Sequence, residues 1–122
     1  MHRNIFIVGA VAIFAALQPM PALADYGAFA YDDGGHKYGY SWNEQNEGRA
    51  GEVALKACGT DKCKVVFRTG PRECGSIALS ADEKAWGGAR RERRDSAQLA
   101  ALENCQKRTG AQCKILASEC NR

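Results

Sequence analysis

The chain carries one motif twice. Tyr26-Gly27-Ala28-Phe29-Ala30-Tyr31 returns as Cys74-Gly75-Ser76-Ile77-Ala78-Leu79. Each copy is followed by an aromatic-glycine step (Tyr38-Gly39, Trp86-Gly87), an alanine-rich segment ending in cysteine, and a second cysteine with a lysine and an apolar run. Gly27 falls on Gly75, Phe29 on Ile77, Gly39 on Gly87, Ala50 on Ala97, Ala54 on Ala101, Cys58 on Cys105 and Cys63 on Cys113; Lys64-Val65-Val66 falls on Lys114-Ile115-Leu116. Glycines, cysteines and helix-face residues recurring together mark a duplication, which restricts the chain to two copies of one supersecondary unit. Each copy reads strand, strand, helix, strand. The expected fold is α+β: a single domain of two pseudo-symmetric β-β-α-β repeats, 25–72 and 73–122, with an antiparallel sheet and two helices.

Within the first copy, Phe29 and Tyr31 alternate with Ala28 and Ala30, so large and small side chains take opposite faces of a strand. Asp32-Asp33-Gly34-Gly35 has hairpin-turn chemistry, with two glycines free to take positive φ. The return strand puts Tyr38, Tyr40 and Trp42 on one face. This aromatic ladder supplies packing, or a stacking surface where it is exposed. A helix capped by Asn43 or Asn46 follows, with an apolar stripe of Ala50, Val53, Ala54, Ala57 and Cys58. Cys63, Val65 and Phe67 then share a face of the last strand.

Segment 1–24 has the three parts of a secretory signal: a basic start at Arg3, an apolar run from Ile5 to Leu17, and Ala22-Leu23-Ala24 as a cleavage site. The run is shorter than the ~20 residues of a membrane span. Segment 25–122 suffices for one small domain whose core is marginal alone. All six cysteines lie there, and an even count in an exported domain reads as a disulfide framework. A tight connection places Cys58 beside Cys63, symmetry pairs Cys105 with Cys113, and Cys74 with Cys120 would then tie the two halves together. This is one of the fifteen connectivities that six cysteines allow. The absence of Cys-x-x-Cys argues against zinc and against thiol-disulfide exchange. No cofactor or metal is expected.

Charge is unevenly spread. From Asp25 to Cys58 there are six acidic and three basic residues, a net −3; from Gly59 to Arg122 there are eight and thirteen, a net +5. The copies differ most at Arg90, Arg91, Arg93 and Arg94. Arginines at a helix N-terminus oppose the macrodipole, so local helix stability does not explain them. They are either a solvated surface, partly balanced by Glu92 and Asp95, or a site for an anionic partner.

The chain resembles a family of small exported bacterial proteins known as domain of unknown function 4189. The resemblance rests on Tyr26 to Tyr31, Tyr38-Gly39-Tyr40-Ser41-Trp42, Ala54-Leu55-x-x-Cys58, Cys63-Lys64-Val65-Val66, Cys74-Gly75 with Ala78, and Trp86-Gly87 through Ala101-Leu102-x-x-Cys105. It implies export and a disulfide-bonded α+β domain, and it carries no activity.

The expected function is therefore that of a noncatalytic exported binding protein of inhibitor, immunity or effector type, secreted or periplasmic. Its partner would be a protein or an anionic envelope ligand, reached through the arginines, the aromatic ladder, or both. Nucleic acid is disfavoured and a monomer is expected. The alternative is a small secreted enzyme in which His36, the one histidine beyond the signal-like segment, works as a base with Asp32 or Asp33. Against it, the chain has no Gly-x-Ser-x-Gly nucleophile motif.

Overall fold

The alternation of small and large residues in the first strand of each copy decides which side meets a helix and which side meets the other copy. A computed structural model describes residues 25–122, and the signal-like segment 1–24 lies outside the described residues. The element order is β1 (Tyr26–Tyr31), β2 (Tyr38–Glu44), α1 (Glu47–Cys58), β3 (Lys64–Thr69), β4 (Cys74–Ser80), β5 (Trp86–Arg91), α2 (Arg94–Gln106) and β6 (Cys113–Cys120). The strands form two antiparallel three-stranded sheets, ordered β2-β1-β3 and β5-β4-β6, so each copy builds its own sheet with its first strand in the centre.

The layers run helix, sheet, sheet, helix. On the outer face of the first sheet, Ala28 and Ala30 pack against Ala50, Ala54 and Cys58 of α1. Ala78 and Ala89 pack against Ala100, Ala101 and Cys105 of α2 in the same way. Small side chains let a helix approach this closely, and one glycine in each unit completes the fit. A Cβ on Gly39 would strike the Cys58 nitrogen and Ala54 oxygen of α1, and a Cβ on Gly87 would strike the Cys105 nitrogen and Ala101 oxygen of α2. These matched collisions are the physical reason that the aromatic-glycine step recurs.

On the inner faces, Phe29 and Tyr31 meet Ile77, with Tyr40, Phe67, Leu79 and Trp86 around them. Phe29 lies opposite Tyr40 on one side and Phe67 on the other, and its ring stacks on both at centroid distances of 5.7 and 4.5 Å. The equivalent row in the second sheet is Gly88, Ile77 and Ala117. An aromatic ridge thus sits on a row in which Ile77 is flanked by the small residues Gly88 and Ala117. A Cβ on Gly75 would lie 2.7 Å from Phe29 Cε2, and one on Gly88 2.5 Å from Phe67 Cε1. Phe29 and Ile77 are both fully buried. Removing a side chain of this kind from water contributes about 1.5–3 kcal/mol.

Both third strands carry a bulge. Phe29 pairs with Phe67 but Ala30 with Val65, leaving Val66 as an extra residue; Ile77 pairs with Ala117 but Ala78 with Ile115, leaving Leu116. The expectation that Cys63, Val65 and Phe67 share one face is corrected here. The extra residue reverses the alternation, so Cys63 and Val65 pack under α1 while Val66 and Phe67 enter the inter-sheet core.

Three disulfides join Cys58–Cys63, Cys105–Cys113 and Cys74–Cys120. The first two link each helix end to the following strand with equal Cα separations of 6.2 Å. The third does not tie the halves together as expected from sequence. Cys74 and Cys120 face each other across β4 and β6, both inside the second unit. This bridge closes the longest covalent loop of the three. The chain-entropy picture assigns it about 4 kcal/mol, against about 2 kcal/mol for each short loop. Apart from the connecting backbone, the halves are joined by packing and by polar contacts, of which the most extensive set centres on Asn121. Its side-chain amide donates to Thr69 Oγ1 (2.8 Å) and the Gly70 carbonyl (2.9 Å), while its Oδ1 accepts from the Asn43 N–H (2.9 Å).

Asn43 therefore belongs to this junction, and Asn46 caps α1, its Oδ1 accepting from the Arg49 N–H at 2.8 Å. In the β1–β2 turn the residue with left-handed backbone is His36 (φ 53°), not Gly34 or Gly35.

Gly88→Val tests the seating of the ridge. Valine's β-propensity favours a strand by up to about 1 kcal/mol, so a slack interface would leave stability unchanged or raised. The close approach of Phe67 leads us to expect a loss of about 3 kcal/mol, read from the urea midpoint of the oxidised protein.

Candidate functional site

Two strands with free edges, β3 and β5, border a groove of about 580 Å³. Its wall on one side is Val66, Phe67 and Arg68, and on the other Gly88, Arg90 and Arg91. The floor is apolar because the bulge turns Val66 and Phe67 toward the core, and because Gly88 has no side chain to fill the space. The rim is cationic.

The three guanidinium groups are held in series on backbone carbonyls. Arg91 donates to the Arg90 carbonyl (2.6 Å), Arg90 to the Arg68 carbonyl (3.3 Å), and Arg68 to the Glu47 carbonyl at the start of α1 (2.7 Å). Carbonyl oxygens orient a guanidinium without neutralising it. Among the described residues, Arg68 and Arg91 have no carboxylate within 4.0 Å, and Arg90 has only Glu73, at 4.0 Å. Gly51 leaves room for the Arg68 guanidinium, since a Cβ there would lie 3.0 Å from one of its nitrogens and the side chain would have to give by a few tenths of an ångström.

Side chains also occupy the free edge of β5. The carbonyls of alternate residues Trp86, Gly88 and Arg90 accept from Arg108 (3.1 Å), Asn104 (2.9 Å) and Arg91 (2.6 Å). Successive alternate carbonyls point the same way along a strand, so this edge is closed to pairing with another chain.

The arginines picked out by sequence divide. Arg90 and Arg91 line the groove. Arg93 pairs with Asp95 at 3.0 Å, and Arg94 donates to the Ser118 carbonyl at 2.8 Å, on the β6 side of the second unit. The Asp95 carboxyl is held below its ordinary range by the Ser96 N–H first and then by Arg93. The aromatic ladder divides as well. Tyr40 is half-buried against Phe29, whereas Tyr38 and Trp42 are exposed on β2, at the opposite edge of the first sheet from the groove.

His36 lies in a second cleft, of about 570 Å³, where the β1–β2 and β4–β5 loops meet. Its Nδ1 is 3.2 Å from the Tyr31 hydroxyl and its Nε2 is 3.9 Å from Glu83 of the other repeat. Asp33 lines the same cleft. Burial, followed by the charges of Asp33, Glu83 and Asp32, raises the Tyr31 phenol above its ordinary range. The Asp32 carboxylate is engaged elsewhere: Oδ1 accepts from the Gly34 and Gly35 N–H groups (2.9 and 3.1 Å) and Oδ2 from the Thr60 hydroxyl (2.8 Å). The structure thus brings His36 to Tyr31 and Glu83, and gives Asp32 the role of organising the turn.

Sequence reasoning missed Arg68, Gly51 and Asn104. One signal for the first two was present in the repeat itself. Arg68 falls on Ser118 and Gly51 on Gln98, so large-beside-absent in one unit becomes small-beside-large in the other, where the Gln98 amide donates to Ser118 Oγ at 3.0 Å.

The Asp32 geometry has a pH consequence. Its hydrogen bonds, that from Gly35 foremost and then that from Thr60, lower its carboxyl below the ordinary 3.8. A depressed folded value stabilises the fold above 3.8, and that contribution is lost as pH falls through the lower folded value. Wild type should therefore lose more stability than Asp32→Asn between about pH 5 and pH 2, measured as thermal midpoints; parallel curves would remove this role.

With the geometry established, comparison with known proteins places the chain. The uncharacterized protein Rv1813c of Mycobacterium tuberculosis is 40% identical over 69 residues, covering 57% of this chain and 46% of that protein. Protein Rv1269c of the same organism is 38% identical over 63 residues, covering 52% of this chain and 47% of its own length. The chain thus matches less than half the length of these relatives. The NMR structure of Rv1813c superposes with a TM-score of 0.60 at 28% identity, over 85% of this chain and 81% of that one. Residues 26–120 match the family described as "Domain of unknown function (DUF4189)", and the chain belongs to that family.

Proposed function

We propose that this is an exported, noncatalytic binding domain whose groove between β3 and β5 recognises an anionic group on a protein or cell-envelope partner, in the manner of an inhibitor, immunity or effector protein. The observation that carries the reading is the serial anchoring of Arg68, Arg90 and Arg91 on backbone carbonyls. Ordering of long side chains normally opposes binding, and here that cost is met in the unbound fold. The planar forks keep most of their donors for carboxylate or phosphate.

Export is supported by the signal-like segment 1–24 and by the three disulfides, a kind of bond that persists in oxidising compartments. Among the described residues no helix is long and apolar enough to cross a membrane. Net charge of the second half adds long-range attraction for an anionic partner and makes association salt-sensitive.

The test is capture of partners from native envelope extract on the immobilised, oxidised domain. The triple variant Arg68→Gln/Arg90→Gln/Arg91→Gln is expected to weaken capture at least about tenfold, a loss of about 1.4 kcal/mol. Arg93→Gln/Arg94→Gln, which lies outside the groove, should stay within about twofold. Capture that is flat between about 50 and 500 mM salt, or equally sensitive to both variants, would contradict the reading.

A further inference from the structure

The geometry points to a specific occupant: we infer that the groove takes an acidic polypeptide segment in extended conformation, with side chains alternating between acidic and small apolar. This rests on the proposed reading of the groove as an anion-recognising surface and goes beyond it to the class of ligand.

The groove runs along Val65–Arg68 of β3 and Gly88–Arg91 of β5, two extended segments of four residues each. At about 3.3 Å per residue they offer a channel roughly 13 Å long, the length of about four residues of extended chain. Chemistry is divided across the groove. Its floor, Val66, Phe67 and Gly88, is apolar, while Arg68, Arg90 and Arg91 stand at the rim. An extended peptide has side chains of period two, so one set reaches the rim while the next meets the floor. A uniformly charged polymer such as polyphosphate would satisfy the rim and leave charge against the floor, which is costly.

Each guanidinium has five N–H groups and spends one on the backbone carbonyl that props it, which leaves donors for bidentate carboxylate contacts. Because the outward carbonyls of β5 are already filled by Arg108, Asn104 and Arg91, the segment cannot join that edge as a further strand. Along β5 recognition therefore goes through side chains, and the pattern of acidic and apolar positions sets specificity there.

The experiment compares three probes on the intact oxidised protein by two-dimensional amide NMR titration. They are a capped peptide of alternating glutamate and valine, about eight residues long, an isomer with its glutamates and valines in separate blocks, and inorganic tripolyphosphate. The alternating peptide is expected to bind at least about tenfold more tightly than the blocked isomer, with shifts concentrated in β3 and β5, and to lose that advantage in Arg90→Gln/Arg91→Gln. Comparison of the two peptides on the wild-type protein needs no variant, so a folding defect cannot obscure it. Equal affinity for the two peptides overturns the inference. Arginine-dependent binding of tripolyphosphate with neither peptide bound overturns it too, while leaving the anion-binding reading standing. Absence of arginine-dependent binding by all three probes removes both.

Discussion

The structure depends on the seating of one aromatic row against a complementary row of isoleucine flanked by glycine and alanine. Tyr40, Phe29 and Phe67 cross the first sheet as a ridge, and Gly88, Ile77 and Ala117 cross the second as its complement. None of the three disulfides bridges the repeats, so the two small units are made one domain mainly by this contact, with the Asn121 junction and a few peripheral polar contacts beside it. A unit of this size would bury too little apolar surface to stand alone, and the partner's inner face supplies the rest. Duplication gave both sheets the same frame. Complementarity required that the same positions diverge in size.

That divergence also generates the candidate site. Where the repeats differ in volume, a large side chain can lie over a glycine, either across the interface or within one unit. Phe67 lies over Gly88, and Arg68 lies over Gly51, whereas in the second unit Gln98 reaches Ser118. Direction reverses too: in the first unit a strand arginine reaches a helix carbonyl, Arg68 to Glu47, and in the second a helix arginine reaches a strand carbonyl, Arg94 to Ser118. The groove opens where Arg68 of one unit meets Arg90 and Arg91 of the other. Its chemistry belongs to the pair of repeats and to neither alone.

The parts of the fold governed by local periodicity were legible from sequence. Strand, strand, helix, strand in each copy and the alanine faces follow from spacing and symmetry, which also favour the observed cysteine pairs among the fifteen possible connectivities without fixing them. What was not legible is non-local. A bulge at Val66 has no distinctive residue, yet it moves Phe67 from the helix face to the inter-sheet core. The turn at Asp32 places the left-handed backbone at His36 although two glycines stand beside it, because the Asp32 carboxylate organises both glycine N–H groups. The arginine run read as one cluster, but a strand end followed by a helix start sends Arg90 and Arg91 one way and Arg93 and Arg94 another. Arg68 drew no notice because it stands alone in sequence, and only the packing of the repeats brings it to its partners.

The claim that an aromatic ridge seated on the row of Gly88, Ile77 and Ala117 unites the repeats is tested most directly by native-state hydrogen exchange in increasing denaturant, with disulfides intact. If the contact holds the domain together, the central amides of β1 and β4 share one opening free energy and merge on a single global unfolding line. Protection that persists in β4, in the unit with two bridges, after β1 has opened would show two independently folding halves and contradict the account.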